Sequence, residues 1–178
     1  IRGLSIVSDE LYLGLFGVVG RDALIQNVRL LGTENETVRF DRTASGSTVQ
    51  VHLGVLAGLN EGSIRNCAVS GYRLQFYGYR SSFASIGGLA GSNYGTIRGC
   101  EADCPDIALA NTNASAYAGG FAGSNHASIS DSYALGSIRV RDARNSEVRI
   151  AGFTADNSGG ALRRCYSATA LTASGTAE

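Results

Sequence analysis

The sequence predicts an all-β protein, a parallel β-helix (β-solenoid) of about five three-strand coils. Three observations carry this: a repeat of about 33 residues, short runs alternating apolar and polar residues in every copy, and 24 glycines against one proline. A fixed internal period of this size marks stacked architectures, in which each unit buries its apolar face against the next. Period-two alternation marks strands with one buried face. Glycine without proline suits tight bends between short strands and argues against a collagen or a polyproline linker.

The first strand of each unit follows a glycine-rich turn. The copies are Gly54-Val55-Leu56-Ala57-Gly58-Leu59-Asn60, Gly87-Gly88-Leu89-Ala90-Gly91-Ser92-Asn93 and Gly119-Gly120-Phe121-Ala122-Gly123-Ser124-Asn125, with Ala151-Gly152-Phe153-Thr154-Ala155-Asp156-Asn157 beginning a fourth and Gly14-Leu15-Phe16-Gly17 an earlier one. A second pattern follows in each: Ile25-Gln26-Asn27-Val28, Ile64-Arg65-Asn66-Cys67, Ile97-Arg98-Gly99-Cys100, Ile129-Ser130-Asp131-Ser132 and Leu162-Arg163-Arg164-Cys165. The third strand is the alternation Val38-Arg39-Phe40, Leu74-Gln75-Phe76, Ile107-Ala108-Leu109, Ile138-Arg139-Val140 and Leu171-Thr172-Ala173. The last residue of the second pattern falls at positions 28, 67, 100, 132 and 165, at intervals of 39, 33, 32 and 33 residues.

Stacking such coils piles equivalent residues into columns about 4.8 Å apart. Leu15, Leu56, Leu89, Phe121 and Phe153 form one interior column, and Ile25, Ile64, Ile97, Ile129 and Leu162 another. Gly3, Asn27, Asn66, Gly99 and Asp131 recur between inward residues and are types that tolerate a left-handed backbone, so this column bends the chain; Arg164 breaks the pattern. Asn60, Asn93, Asn125 and Asn157 mark another corner, where stacked amides can bond from coil to coil.

Composition bounds the function. The 178 residues carry fifteen basic and fifteen acidic side chains, so no global field recruits nucleic acid. No apolar run reaches the ~18 residues of a membrane span. There is no methionine, and the chain opens on a partial copy, Ile1-Arg2-Gly3-Leu4. Residues 1–178 are therefore expected to form a single β-helix domain, a fragment of a larger exported protein whose flanking coils or caps cover its open ends.

The motifs resemble the GLUG repeat of bacterial surface proteins. The resemblance rests on Gly14-Leu15-Phe16-Gly17 with Ile25-Gln26-Asn27-Val28, on Gly88-Leu89-Ala90-Gly91-Ser92-Asn93-Tyr94-Gly95-Thr96-Ile97, and on their copies. It implies a right-handed β-helix and an adhesin-like or scaffold role at the bacterial cell surface, outside the cell. It transfers no catalytic residue. The copy beginning at Ala151 departs from the motif at Ala155 and Gly160.

Candidate chemistry is sparse. Cys67, Cys100 and Cys165 share one column with Val28 and Ser132, which reads as small interior packing by free thiols. A disulfide joining Cys100 to Cys67 or to Cys104 is the alternative. No metal or other cofactor is expected: the cysteines lack zinc-ligand spacing, and His52 and His126 occupy different repeat positions. Arg65 and Arg98 recur at one outward position, and Tyr77 and Tyr79 end the most aromatic strand. Together they are the candidate ligand surface, with host or cell-wall glycan or protein, and neighbouring domains of the parent, as expected partners. The plainer reading of the stripe is a solvated face partly neutralised by Glu61 and Glu101. The long stretch Thr33 to Gln50, with Glu34, Glu36, Asp41 and Arg42, is a further candidate because loops leaving a rigid coil often carry function. Asp103 and Asp106 flank Pro105 in an expected turn, and no paired carboxylates or nucleophile motif emerge, so the chain is not expected to be an enzyme.

Overall fold

Apolar residues one repeat apart become direct partners in parallel ladders. Ile64 pairs with Ile25 on one side and Ile97 on the other; Ile97 pairs with Ile129, and Ile129 with Leu162. Val38, Leu74, Ile107, Ile138 and Leu171 form a second such row, in the order the alternation implies. These registers come from a computed structural model, which describes residues 1–41, 49–78, 83–110, 115–141 and 147–174, apart from the side chain of Pro105. Among the described residues every regular element is a strand, and all pairings are parallel. The fold is a β-solenoid of about four turns.

The three repeated patterns each supply a ladder. In one coil they are the strands Ala57–Asn60, Ser63–Arg65 and Arg73–Tyr77. A fourth ladder lies just upstream of the glycine turn, built from Tyr12–Leu13, Gln50–Gly54, Phe83–Gly87, Ser115–Gly119 and Val148–Ala151. Its strand Gln50–Gly54 begins at the last residue of the stretch read as a loop from Thr33 to Gln50. Thr37–Asp41 is also a strand, and the Glu36 carboxylate accepts the Thr33 amide and hydroxyl at 2.7 and 2.9 Å. Arg42 lies outside the described residues. Pro105 does not make the expected turn: it lies within the ten-residue strand Glu101–Ala110, where the register against Tyr133–Arg141 shifts by one residue between Cys104 and Ile107. A bulge tolerates proline because the extra residue leaves the hydrogen-bond ladder.

The inside is one continuous apolar cluster. Leu56, Leu89 and Phe121 are fully buried, while Leu15 and Phe153, nearer the ends, are partly buried against it. Phe121 stacks on Phe153 with ring centroids 4.7 Å apart, and Phe40 on Phe76 at 5.3 Å. Glycine is forced where two ladders approach backbone to backbone. A Cβ on Gly91 would come within 2.5 Å of the Leu53 amide nitrogen and 2.6 Å of the Gly58 carbonyl oxygen, neither of which can yield.

The bends follow the sequence. Asn27, Asn66, Asp131 and Arg164 have φ of 58°, 51°, 54° and 50°, and Gly3 and Gly99 have 72° and 65°. Arg164 thus adopts the left-handed conformation of its column, and its guanidinium is gripped by Asp131 one coil below, Nε to Oδ1 and Nη2 to Oδ2. At the other corner the asparagines form an amide ladder. Asn60 donates to Asn93, Asn93 to Asn125 and Asn125 to Asn157, each at 2.7 Å.

Candidate functional site

The outward residues of the Ser63–Arg65 ladder stand in two columns, because successive side chains on one face of a strand are two residues apart. Ser63, Thr96 and Ser128 are in register, and so are Arg65, Arg98 and Ser130. Arg65 and Arg98 are therefore neighbours on adjacent coils. A depression of about 300 Å³ lies between the columns, lined by Arg65, Thr96, Ile97, Arg98, Ser128 and Ser130. Ile97 is buried and forms its floor. Ser63 and Thr96 share a hydroxyl hydrogen bond at 2.9 Å.

The charge balance here differs from the sequence reading. Glu101 does not neutralise the stripe: it lies 3.9 Å from Arg29 and accepts the Tyr133 hydroxyl, which pushes that phenol up to about 12. Glu61 makes no ion pair among the described residues. The counter-charge is Asp131 at the bend, 3.2 Å from Arg98 Nε. Asp131 is held below the usual carboxylate range first by its bond to Arg164 and also by Arg98. Arg65 is exposed and has no carboxylate partner among the described residues.

The aromatic half of the predicted surface is elsewhere. Tyr77 ends a strand of a different ladder, pairs in register with Asp41, and lies under the Arg39 guanidinium at 4.7 Å. It is half-buried and not part of the depression. Tyr79 falls outside the described residues. The exposed ring nearest in sequence is one the alternation did not single out: Tyr94, one glycine before Thr96, stacks on His126 with centroids 4.5 Å apart.

The cysteines are all free. Cys67 and Cys100 are neighbours in their column, the Cys67 amide donating to the Cys100 sulfur at 3.4 Å, and both are buried; Cys165 is partly exposed. The hydrogen bond between the two thiol groups, with burial, pushes the Cys100 thiol up and draws its partner Cys67 down, while burial pushes Cys104 up. Thiols pushed up in this way are poor nucleophiles because the thiolate is the reactive form.

Serine and histidine come close at two places, in the fold at Ser92 and His52 and in the sequence at Ser124, His126 and Ser128. His52 Nδ1 lies 2.8 Å from Ser92 Oγ, but both side chains are buried and no carboxylate orients the ring among the described residues. Ser124 bonds Ser85 at 2.7 Å, while His126 Nδ1 donates to the Ser158 carbonyl at 2.9 Å and Ser128 faces the depression, so the close sequence spacing brings no triad together. His52 belongs to a column facing away from the apolar interior, Tyr12, His52, Ser85, Tyr117 and Arg149, in which His52 and Ser85 are nevertheless buried, and which sequence reasoning missed. Its signal was the alternation Val51-His52-Leu53 and Ala116-Tyr117-Ala118 just before each glycine turn. Among the described residues, no group of three or more His, Cys, Asp or Glu is gathered to hold a metal, and no helix is long and apolar enough to cross a membrane.

These features define a parallel β-solenoid with a filled interior and a shallow arginine- and hydroxyl-lined face. Residues 114–139 match the family described as the GLUG motif. That segment covers the Ser115–Gly119 ladder strand, the glycine turn, the Asn125 corner and the Asp131 bend, and its pattern recurs in register in the neighbouring coils. No curated protein and no solved structure matches the chain.

Proposed function

We propose that this chain is a non-catalytic structural and adhesive repeat module, one segment of an exported protein displayed on the outer surface of a bacterial cell. The observation that carries the reading is the interior. Every coil spends its inward positions on packing, and buried polar side chains are used between coils, as in the amide ladder and the His52–Ser92 and Ser85–Ser124 bonds. A stack of this kind is a stiff rod that sets outward residues at regular spacing, which suits a spacer or a contact surface. The resemblance to GLUG-repeat surface proteins supports the cellular placement.

The test is direct. Antibody raised against the purified chain should label intact cells of the native organism, and the purified chain should adhere to a host-cell or cell-wall preparation. Labelling confined to lysed cells would overturn the surface placement. Adhesion no greater than that of an unrelated β-solenoid would leave the spacer role alone standing.

A further inference from the structure

We propose that the depression on the outer face of the Ser63–Arg65, Thr96–Arg98 and Ser128–Ser130 ladder binds an acidic saccharide. Its carboxylate or sulfate sits between the Arg65 and Arg98 guanidinium groups, and its ring hydroxyls bond Thr96, Ser128 and Ser130. The inference rests on the adhesive reading above and names its ligand.

Three observations point to an anion there. Arg65 and Arg98 stand directly opposite each other on adjacent parallel strands. Like charges in that position repel, so the pair raises the energy of the empty ladder. The single carboxylate at hand, Asp131, is divided between Arg98 and Arg164, and it contacts Arg98 only through Nε. Arg65 has no carboxylate at all among the described residues, in a chain whose charges otherwise balance. An oxyanion bridging the two guanidinium groups replaces repulsion by charge-assisted hydrogen bonds.

The rest of the lining selects a sugar. Besides the two guanidinium groups, the exposed lining is hydroxyl, from Thr96, Ser128 and Ser130. Hydroxyls both donate and accept, which matches the hydroxyls of a saccharide ring. At about 300 Å³ the space is at the small end of ligand pockets. A nucleic acid strand would require stacking platforms and a longer cationic track, and no aromatic ring lines this space.

Calorimetric titration of the purified chain tests the idea. The probes are 3′-sialyllactose for the carboxylate source, 3′-sulfolactose for the sulfate source, lactose as the neutral control and a single-stranded oligonucleotide. At least one acidic saccharide should bind about tenfold or more tighter than lactose, more weakly as salt rises, and the arm that binds identifies the anion. The Arg65→Ala, Arg98→Ala double variant should lose about tenfold in affinity or more. Thr96→Val should weaken binding without changing its salt dependence. The urea midpoints of the variants monitor folding, since the substituted side chains are exposed. Absence of acidic-saccharide binding, binding unaltered in the double variant, or oligonucleotide binding of equal strength would each overturn the proposal. Should the double variant still adhere to cells as the wild type does, the saccharide site fails while the adhesive reading survives.

Discussion

At the residue scale, most of the specificity lies in a few side chains that bond to their own copies. Asn93 is fully buried; its Oδ1 accepts from Asn60 Nδ2 at 2.7 Å and from the Gly95 amide at 3.2 Å, while its Nδ2 donates to Asn125. Truncation strands those partners away from water, and an unpaired buried polar group costs more than the bond itself contributed. Asn93→Ala is expected to destabilise the fold by about 2–4 kcal/mol in urea unfolding. A loss within 0.5 kcal/mol would mean that water replaces the ladder. The cysteines make the opposite argument, for inertness. Cys67, Cys100 and Cys104 are buried and Cys165 is partly exposed. Alkylation of the native protein should therefore modify Cys165 first and spare the other three until denaturant is added, after which mass spectrometry should count four alkylated thiols. Fewer than four, without a reductant, would reveal a disulfide.

At the scale of the element, the middle of one interior column can be compared with the end of another. Leu89 is fully buried between Leu56 and Phe121, whereas Leu162, last in the isoleucine column, is 39% exposed because no coil of this chain covers its outer side. Leu89→Ala should cost ~2–5 kcal/mol, as cavity-forming truncations do, and Leu162→Ala below about 1 kcal/mol. Equal costs in denaturation would show that position along the columns does not set stability. The same columns explain what could be read from sequence. The in-register pairs Ile64–Ile97 and Leu74–Ile107 were legible because inward positions repeat both residue type and spacing. The left-handed bend at Asn66 and Asp131 was legible because few side chains tolerate it. Arg164 was opaque, since its explanation, Asp131, lies one coil away and not beside it in sequence. The ladder containing His52 was missed because its strands follow segments of varying length, which blurs their phase. The candidate surface was half legible for a related reason. Repeat phase places Arg65 beside Arg98, but it does not say which ladder a given aromatic residue faces, and Tyr77 lies on another one.

For the whole molecule, nearly every tertiary contact joins one coil to the next, so stability should be a sum over neighbouring coils and not a property of one closed shell. Backbone hydrogen bonds of similar geometry then differ only in how well they are covered. The Leu89 amide donates to the Phe121 carbonyl at 2.9 Å and the Leu56 amide to Leu89 at 3.0 Å, both within fully buried turns. The Ala161 amide donates to Ala127 at 2.7 Å and the Tyr166 amide to Ser132 at 3.3 Å, in a last coil whose residues are exposed or only partly buried. Local opening of that coil uncovers little apolar surface and breaks a single set of ladders, whereas exposing Leu89 requires coils to separate on both sides. Native-state hydrogen exchange should accordingly show Ala161 and Tyr166 exchanging about a hundredfold faster than Leu56 and Leu89, with opening energies graded from the last coil inward. Mild denaturant should narrow that gap, as global unfolding overtakes local opening. Uniform protection from Leu56 to Tyr166 would mean that the coils unfold all together, and the additive picture of this solenoid would have to be abandoned.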